Sequence, residues 1–247
     1  MREARRQLQR PDLSIPEVVV LDPDGDLCDY LRTHRQASHV VQWACYHSQM
    51  YAFELEGQQV GIIPRAVGAA YAVLVAEQLF VSGCQLLISI TSAGIVREPD
   101  FSQSFVLITE AVRDEGTSYH YLPADAPAAL KPSLFQKLIK AVSEQASYEL
   151  MYAPAKAWTT DAPYRETQQV IDAMATIDVT CVEMESAALY ALGIAKNYDI
   201  VCFAHLTNTM AQQEGDFEKG EFAGSLSALT MLEMVVRRLR PYLNSPE

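Results

Sequence analysis

The sequence predicts one α/β domain with a largely parallel β-sheet covered by helices. Short runs of β-branched and other apolar residues, typical of buried strands, alternate with segments of helical periodicity along the chain. The 247 residues contain no internal repeat, no low-complexity segment and no linker rich in Pro, Gly or Ser. This length fits one large domain of the α/β class.

The first predicted elements are two strands and a helix. Residues 18–21 (VVVL) are apolar and mostly β-branched, and the turn-forming sequence DPDGD at 22–26 ends this strand. Residues 59–63 have the composition of a second strand. Residues 68–82 show helical spacing of apolar side chains, and Gly83 ends the helix.

The remaining elements continue the alternation of strand and helix. Residues 85–90 form a continuous apolar run, as expected of a strand that is covered on both faces. Residues 132–147 are amphipathic and predict a helix. Further strands are predicted at 105–109 and 200–205, and further helices at 183–196 and 223–239.

Composition excludes several classes of function. Apolar residues make up 49% of the chain and charged residues 20%, which is the balance of an ordinary globular protein. The net charge of −12 argues against wrapping nucleic acid or docking on an anionic membrane, because both need a basic surface. No apolar run approaches the ~18 residues that a membrane span requires. A single small anionic or sugar-bearing ligand remains compatible with this charge.

Cysteine usage and the N-terminus indicate a cytoplasmic protein without a metal. The five cysteines are odd in number and unclustered, and Cys84, Cys181 and Cys202 lie within apolar runs, as reduced core cysteines do. Neither CxxC nor HExxH spacing occurs, so no metal site is predicted. The N-terminal MREARRQLQRPD is basic but no apolar segment follows it, so no signal peptide is expected.

Three unusual stretches fall where ligands of α/β sheets gather, beyond the carboxyl ends of the strands. TSAG at 91–94 follows the strand predicted to end at Ile90. LTNT at 206–209 follows the strand predicted to end at His205. VEMES at 182–186 opens the next predicted helix.

The TSAG stretch has more than one interpretation. A tight connection between strand and helix is the simplest one. Small residues also let backbone N–H groups and hydroxyls approach a ligand closely. A serine hydrolase is a third interpretation, because Ser92 would occupy a sharp turn, but the nucleophile-elbow pattern needs Gly where this chain has Ile90. The stretch is neither a P-loop nor GxGxxG.

VEMES places two carboxylates at the mouth of an apolar segment. An unpaired buried carboxylate costs several kcal/mol, so Glu183 and Glu185 need partners. Helix capping accounts for Glu183, since a carboxylate in the first helical turn gains about 0.3–1 kcal/mol. Glu185, two residues further on, points in another direction and needs a different reason.

A further stretch, WTTDAPYRET at 158–167, is polar and carries aromatic residues. It is interpreted either as a surface loop that caps a helix or as a site for a planar heterocycle. The second interpretation rests on Arg165, because a guanidinium beside aromatic rings both stacks and donates hydrogen bonds.

Four segments together resemble the nucleoside phosphorylase family, which includes uridine phosphorylases, hexameric purine nucleoside phosphorylases and related nucleosidases. They are GIIPRAVGAAYAVLVAEQLFVSGCQLLISITSAG, RDEGTSYHYLP, WTTDAPYRET and CVEMESAALYALG. The resemblance implies a single α/β domain with a central mixed sheet at 17–247, after an N-terminal extension at 1–16. It also implies a homo-oligomer (dimer, trimer or hexamer) and cleavage of the N-glycosidic bond of a nucleoside. No metal or organic cofactor is implied, with inorganic phosphate as co-substrate.

The resemblance also implies roles for individual residues. Glu185 is expected to accept hydrogen bonds from the ribose 2′ and 3′ hydroxyls and to stabilise the positive charge of the transition state. Met184 is expected to pack on the sugar, and Ser92 to contact both sugar and phosphate. Asn208 and Glu185 are the implied catalytic residues. The implied phosphate ligands are Gly25, Thr91, Ser92 and Arg65, and the implied base contacts are Arg165, Trp158, Gly94 and Asn208.

Three positions depart from the family pattern. The arginine expected four residues after Gly25 is Asp29, and a second phosphate arginine falls on Ser89. Asn208 stands where hexameric purine enzymes carry an aspartate that protonates the leaving base, an arrangement closer to the Thr-Asn of trimeric purine enzymes. Arg65 and Arg97 are the basic residues expected to offset Asp29, by pairing with it or by reaching the anion.

Three hypotheses therefore compete. The first is a phosphorylase that releases free base and (deoxy)ribose 1-phosphate. The second is a nucleosidase that uses water. The third is a catalytically silent member that binds a nucleoside or serves as a structural subunit. Retention of Glu185, Ser92 and Arg165 favours an enzyme, because a structural relative has no need of a sugar carboxylate.

Overall fold

The computed structural model describes residues 1–34, 36–144, 151–209, 219 and 221–243, without the side chains of 140–144, 208–209 and 241–243. Within these residues a mixed β-sheet forms the centre and helices cover it. The strands are β1 (Val18–Asp22), β2 (Ala37–His39), β3 (Tyr51–Leu55), β4 (Gln58–Pro64), β5 (Leu86–Ile95), β6 (Phe105–Asp114), β7 (Ala128–Ala129), β8 (Tyr152–Thr160), β9 (Val179–Glu183) and β10 (Asp199–Thr209). The helices are α1 (Arg2–Gln7), α2 (Asp26–Thr33), α3 (Ala69–Phe80), α4 (Pro132–Glu144), α5 (Gln168–Thr176), α6 (Ser186–Lys196) and α7 (Ser225–Leu243).

The sheet contains both parallel and antiparallel pairs, which agrees with the mixed sheet that the resemblance implies. Strand β1 runs parallel to β4 and β5, and β5 runs parallel to β10. Strand β6 is antiparallel to β10 but parallel to β8, which is parallel to β9. Strand β9 is antiparallel to β5. The strands β5, β10, β6, β8 and β9 therefore close into a ring. Strands β3 and β2 add an antiparallel meander beyond β4, with β2 at the edge.

This topology brings distant stretches of the chain together. The ends of β1, β5 and β10 lie at one edge because the three strands are parallel. In the closing pair, Gly94 of β5 lies opposite Val182 of β9. TSAG and VEMES therefore lie side by side although about ninety residues separate them in the sequence.

The core follows from the apolar runs. Every residue of β1 is buried, as are Leu86 to Thr91 of β5, in keeping with strands covered on both faces. Helix α6 is apolar nearly all round and is buried from Ser186 to Gly193. Its Tyr190 hydroxyl donates to the Ile108 carbonyl and accepts from the Cys202 N–H at 3.0 Å, which satisfies a buried polar group between two strands.

Several element boundaries differ from the sequence-based expectations. The strand predicted to end at Ile90 continues to Ile95, and the one predicted to end at His205 continues to Thr209. TSAG is therefore not the tight turn of the simplest interpretation, because pairing with β9 and β10 gives its backbone sheet hydrogen bonds. The helix predicted from Glu183 begins at Ser186, because Glu183 is the last residue of β9.

Other differences concern shorter elements. Helix α4 is described to Glu144, and residues 145–147 of the predicted helix lie outside the described part of the chain. Strands β2, β3, β7, β8 and β9 and helices α1, α2 and α5 were not indicated by the sequence pattern. Most of these are short or polar, or have one exposed face, so their apolar periodicity is weak.

The first sixteen residues contain α1 and pack on the domain. Ala4 and Ile15 are buried, and the Ile15 N–H lies 3.4 Å from the Ser82 carbonyl. The boundary at residue 17 stays a prediction. No helix in the described ranges has the length and apolar character needed to cross a membrane.

Candidate active site

A cleft of about 260 Å³ opens where β1, β5, β9 and β10 end. Thr91 to Gly94, Val182 to Glu185 and Thr207 form much of its wall, so all three predicted stretches meet there. Five residues without an individually predicted role complete the wall, and they are Pro23, Asp24, Val67, Pro163 and Glu166. The last two belong to the WTTDAPYRET stretch.

Glu183 has a structural role at the bottom of this cleft. One of its carboxylate oxygens accepts from the Thr159 hydroxyl. The other accepts from the backbone N–H groups of Glu185 and Ser186, both at 2.8 Å, and from the Ser186 hydroxyl at 2.9 Å. The carboxylate thus satisfies the first N–H groups of α6, as the capping interpretation expected, although it does so from the end of a strand.

Glu185 differs from its neighbour in its hydrogen bonds. It lies at the N-terminal boundary of α6 and is 1% exposed. Its Oε1 accepts from the Gly68 N–H at 2.6 Å, whereas Oε2 is buried without a hydrogen-bond partner among the described atoms. Thr91 lies close enough to favour the charged carboxylate, but its hydroxyl makes no hydrogen bond of good geometry with Oε2. Glu185 lines the cleft and has one oxygen whose hydrogen-bonding capacity is unused, which suits a ligand that donates a hydrogen bond there.

The environment of Glu185 also controls its charge. Burial raises the pKa of Glu185 to about 8, and the negative charge of Glu183 adds to this rise. The hydrogen bond from Gly68 acts in the opposite direction. A hydroxyl-bearing ligand that donates to Oε2 would likewise favour the ionised form.

The Gly68 contact depends on the loop between β4 and α3. Gly68 has φ of 87° and ψ of 146°, a conformation that side chains disfavour, and it directs its N–H at a carboxylate 117 positions further along the chain. The sequence pattern identified this residue only as the start of a helix.

Ser92 lines the same cleft as Glu185 and is held by Asp24. The Ser92 N–H donates to Asp24 Oδ2 at 3.0 Å, and the Ser92 hydroxyl donates to Oδ1 at 3.1 Å. Lys219 pairs with Asp24 Oδ2 at 3.1 Å and with Asp26 Oδ2 at 2.6 Å. The resemblance assigns Ser92 to sugar and phosphate, and both its N–H and its hydroxyl are engaged with a carboxylate of the protein.

The remaining implied phosphate ligands point elsewhere. Arg65 forms a short ion pair with Asp29 and is not part of the cleft wall. The Gly25 N–H donates to the backbone carbonyl and to the carboxylate of Asp22, both at 3.0 Å. Of the two options for offsetting Asp29, the structure shows pairing through Arg65, while Arg97 lies 3.8 Å from Asp178.

Two further positions, one acidic and one neutral, bear on whether this region can bind an anion. Burial raises the pKa of Asp22 to about 7, while hydrogen bonds from Cys28 and Gly25 act against this rise. Ser89, where the resemblance places a phosphate arginine, is 1% exposed within β5, and its hydroxyl has no partner in the described part of the chain. No positive charge stands at that position.

The implied base contacts lie at different depths. Gly94 forms part of the cleft wall. Trp158 is 2% exposed, packs in a small core with Val179 and Val182, and donates from Nε1 to Asp114 at 2.9 Å. Arg165 is exposed and lies outside the cleft wall. Their contacts with a base stay predictions.

Asn208 belongs to β10, with its backbone opposite Gly94, and its side chain lies outside the described part of the structure. Its catalytic role stays a prediction. Glu166, which the sequence pattern did not single out, is a cleft residue on the WTTDAPYRET stretch, and burial raises its pKa. Across the described ranges, no group of three or more His, Cys, Asp or Glu residues could hold a metal ion.

Comparisons with known proteins agree with this fold. A guanosine phosphorylase of Halorubrum lacusprofundi is 25% identical over 141 residues, which are 57% of this chain and 57% of that protein. This chain thus spans a little over half the length of that relative. The crystal structure of purine nucleoside phosphorylase from Toxoplasma gondii in complex with immucillin-H has a TM-score of 0.75 and 16% identity, and the match covers 94% of this chain and 96% of that chain.

The structural match establishes the likeness of fold, a single mixed α/β domain with its sheet flanked by helices. The model of the phosphorylase superfamily matches residues 17–239, which is nearly the whole chain. The chain therefore belongs to the phosphorylase superfamily.

Proposed function

We propose that this protein cleaves the N-glycosidic bond of a nucleoside, with inorganic phosphate as the acceptor of the sugar. The observation that carries the proposal is the unpartnered Oε2 of Glu185 in the cleft. A buried polar atom without a hydrogen-bond partner costs about 1–3 kcal/mol of stability, and a charged one costs more. A ligand that donates a hydrogen bond to this atom removes that cost, which favours binding. A ribose offers two adjacent hydroxyls, and one of them can meet this oxygen.

The same carboxylate suits the transition state. As the bond between the sugar carbon and the base nitrogen lengthens, positive charge develops on the sugar ring, and an anionic Glu185 nearby stabilises it. Met184, at the wall of the cleft next to Glu185, supplies an apolar surface for the sugar. The cleft of about 260 Å³ is slightly smaller than the ~300–1,000 Å³ typical of small-molecule sites.

The proposed reaction balances without a cofactor. A phosphate oxygen forms a bond with C1′ of the sugar, and the bond from C1′ to the base nitrogen breaks. The electron pair of that bond leaves with the base, which takes up the proton that the hydrogen phosphate loses on becoming the sugar phosphate. The products are free base and ribose 1-phosphate, or deoxyribose 1-phosphate from a deoxynucleoside.

The likeness to a guanosine phosphorylase supports a purine, and in particular a 6-oxopurine, as the base. Two residues of this chain fit that choice. The Glu166 carboxylate at the cleft can accept hydrogen bonds from the ring N–H and the amino group of guanine. An amide at Asn208 can donate to O6 and accept from a protonated N7 as the base leaves.

Hydrolysis is a second candidate function, and one specific observation favours it. Asp24 holds both donors of Ser92, so a neutral water meets less repulsion near this residue than a phosphate does. Water in place of phosphate would give free ribose.

The test is incubation with a panel of purine and pyrimidine nucleosides, with and without phosphate, followed by identification of the base and the sugar product. We expect phosphate-dependent base release with ribose 1-phosphate as product. Unchanged release in phosphate-free buffer with free ribose would identify a nucleosidase. Binding of a nucleoside without any base release would identify a silent member of the family.

A further inference from the structure

The Asp24 carboxylate makes the contacts that a bound anion would make. Its two oxygens accept from the Ser92 N–H at 3.0 Å and the Ser92 hydroxyl at 3.1 Å. Its Oδ2 also lies 3.1 Å from the Lys219 ammonium. A backbone N–H, a hydroxyl and an ammonium converging on one carboxylate are the donor types that hold a phosphate in many sites.

Asp24 also separates two spaces. It lines the cleft that contains Glu185, and it lines a smaller cavity of about 30 Å³ that contains His205 and Lys219. The smaller cavity has room for about one water molecule. A phosphate bound to Ser92 and Lys219 would therefore need the volume that the Asp24 side chain occupies.

The surrounding charges reinforce this exclusion. Asp22 and Asp26 line the smaller cavity together with Asp24, and Lys219 pairs with Asp26 as well. The nearby Arg65 is already paired with Asp29. With Asp24 in place, an incoming phosphate would meet mainly negative groups, and it would find the donors of Ser92 taken.

We propose that Asp24 is an internal occupant of the acceptor site and the residue that determines which acceptor this protein uses. Phosphate binds when the Asp24 side chain leaves Ser92, so its apparent affinity is reduced by the small fraction of molecules in that state. This inference rests on the proposed function only in naming phosphate as the acceptor of the sugar. Occupation of an anion site by Asp24 is tested separately, through phosphate binding. Asp24 is a specificity-determining residue in this proposal.

The test measures phosphate binding without turnover. Isothermal titration with inorganic phosphate at constant ionic strength is compared between the wild type, Asp24→Ala and Asp26→Asn. Asp24→Ala should bind phosphate at least about tenfold more tightly, the change expected if about a tenth or less of wild-type molecules have a vacant site. Asp26→Asn removes one of the surrounding negative charges but leaves Ser92 engaged with Asp24, so it should tighten phosphate binding clearly less than Asp24→Ala does.

A double variant identifies the donors. Asp24→Ala combined with Ser92→Ala should lose most of the gain, because the hydroxyl released by the first change is then absent. Asp24→Asn, which keeps the shape of the side chain, should tighten phosphate binding in the same direction but less, and it serves if Asp24→Ala does not fold.

The proposal is overturned if the Asp24 variants bind phosphate no more tightly than the wild type, if Asp26→Asn gains as much, or if the double variant keeps the gain. These outcomes are independent of catalysis. Absence of base release from every nucleoside would refute the proposed function and would leave the phosphate affinities to decide the role of Asp24.

Discussion

Glu183 and Glu185 are separated by a single residue, yet Glu183 has hydrogen bonds on both carboxylate oxygens while Oε2 of Glu185 has none among the described atoms. Both side chains are at least 95% buried. The first carboxylate joins the end of β9 to the start of α6. The second belongs to a residue of the cleft wall and accepts from the Gly68 N–H on one oxygen only. The pair thus divides into a structural carboxylate and one that is available to a ligand.

Substitution of the two glutamates should separate these roles. Glu185→Gln removes the negative charge at the sugar. We expect a lower kcat/KM on a cleaved ribonucleoside, corresponding to a loss of about 2–4 kcal/mol of transition-state stabilisation. Glu183→Gln should reduce kcat/KM less. It should lower the melting temperature more, because the amide replaces an acceptor of backbone N–H groups with a donor. Steady-state kinetics and thermal unfolding of both variants test this division of roles. Equal losses of activity would contradict the assignment of Glu185 to the sugar and of Glu183 to the fold.

The raised pKa of Glu185 predicts the pH dependence of stability. Its ordinary value is 4.5 and its value in the folded protein is about 8, so between these values the folded state holds a proton that the unfolded chain has lost. This stabilising contribution is complete below about pH 4.5 and is lost as the pH rises through about 8. Glu185→Gln lacks it, so its melting temperature relative to the wild type should rise between pH 5 and 9 by on the order of ten degrees, at about 2–4 °C per kcal/mol.

A matched control for this comparison is Glu54→Gln, because Glu54 is exposed on β3. Glu54 does not line the cleft, so this variant corrects the comparison for the general effect of replacing a glutamate by a glutamine. The same titration should appear in activity, with kcat/KM rising through about pH 8 as Glu185 ionises. A pH-independent difference between Glu185→Gln and the wild type would contradict the assignment.

Asn208 should bias the protein towards 6-oxopurines if it acts on purines. An amide donates to O6 and accepts from a protonated N7, but it does not release a proton as an aspartic acid does, so adenine is a poorer leaving group. Inosine should therefore be cleaved faster than adenosine, and Asn208→Asp should narrow or reverse the ratio. Faster cleavage of adenosine by the wild type would refute this prediction.

A homo-oligomer should be the active form. Val67 lines the cleft and is 51% exposed in the single chain, so this wall faces water. Exclusion of water by a second copy would strengthen the hydrogen bonds to the sugar. Light scattering at assay concentration should show a dimer, trimer or hexamer, and a fully active monomer would disprove the expectation.

Much of the architecture was predictable because burial leaves a strong pattern. The sequence shows the apolar runs of β1, β5 and β10, because a strand that is covered on both faces has apolar residues throughout. It also shows the apolar helices α3 and α6. The boundaries were less predictable at TSAG and LTNT. Small and polar residues usually end a strand, and here they continue one because the ring of strands supplies their backbone partners.

The sequence alone made Glu185, Met184 and Ser92 candidates for one site, because the segments that contain them resemble the nucleoside phosphorylase family and this resemblance implies their roles. It also determined the departure at Asp29. Three contacts were decided by the tertiary structure alone. The Gly68 N–H donates to Glu185, Arg65 forms an ion pair with Asp29, and Asp24 accepts hydrogen bonds from Ser92. These contacts join residues 36 to 117 positions apart, and a hydrogen bond between such positions depends on how the strands close rather than on local periodicity.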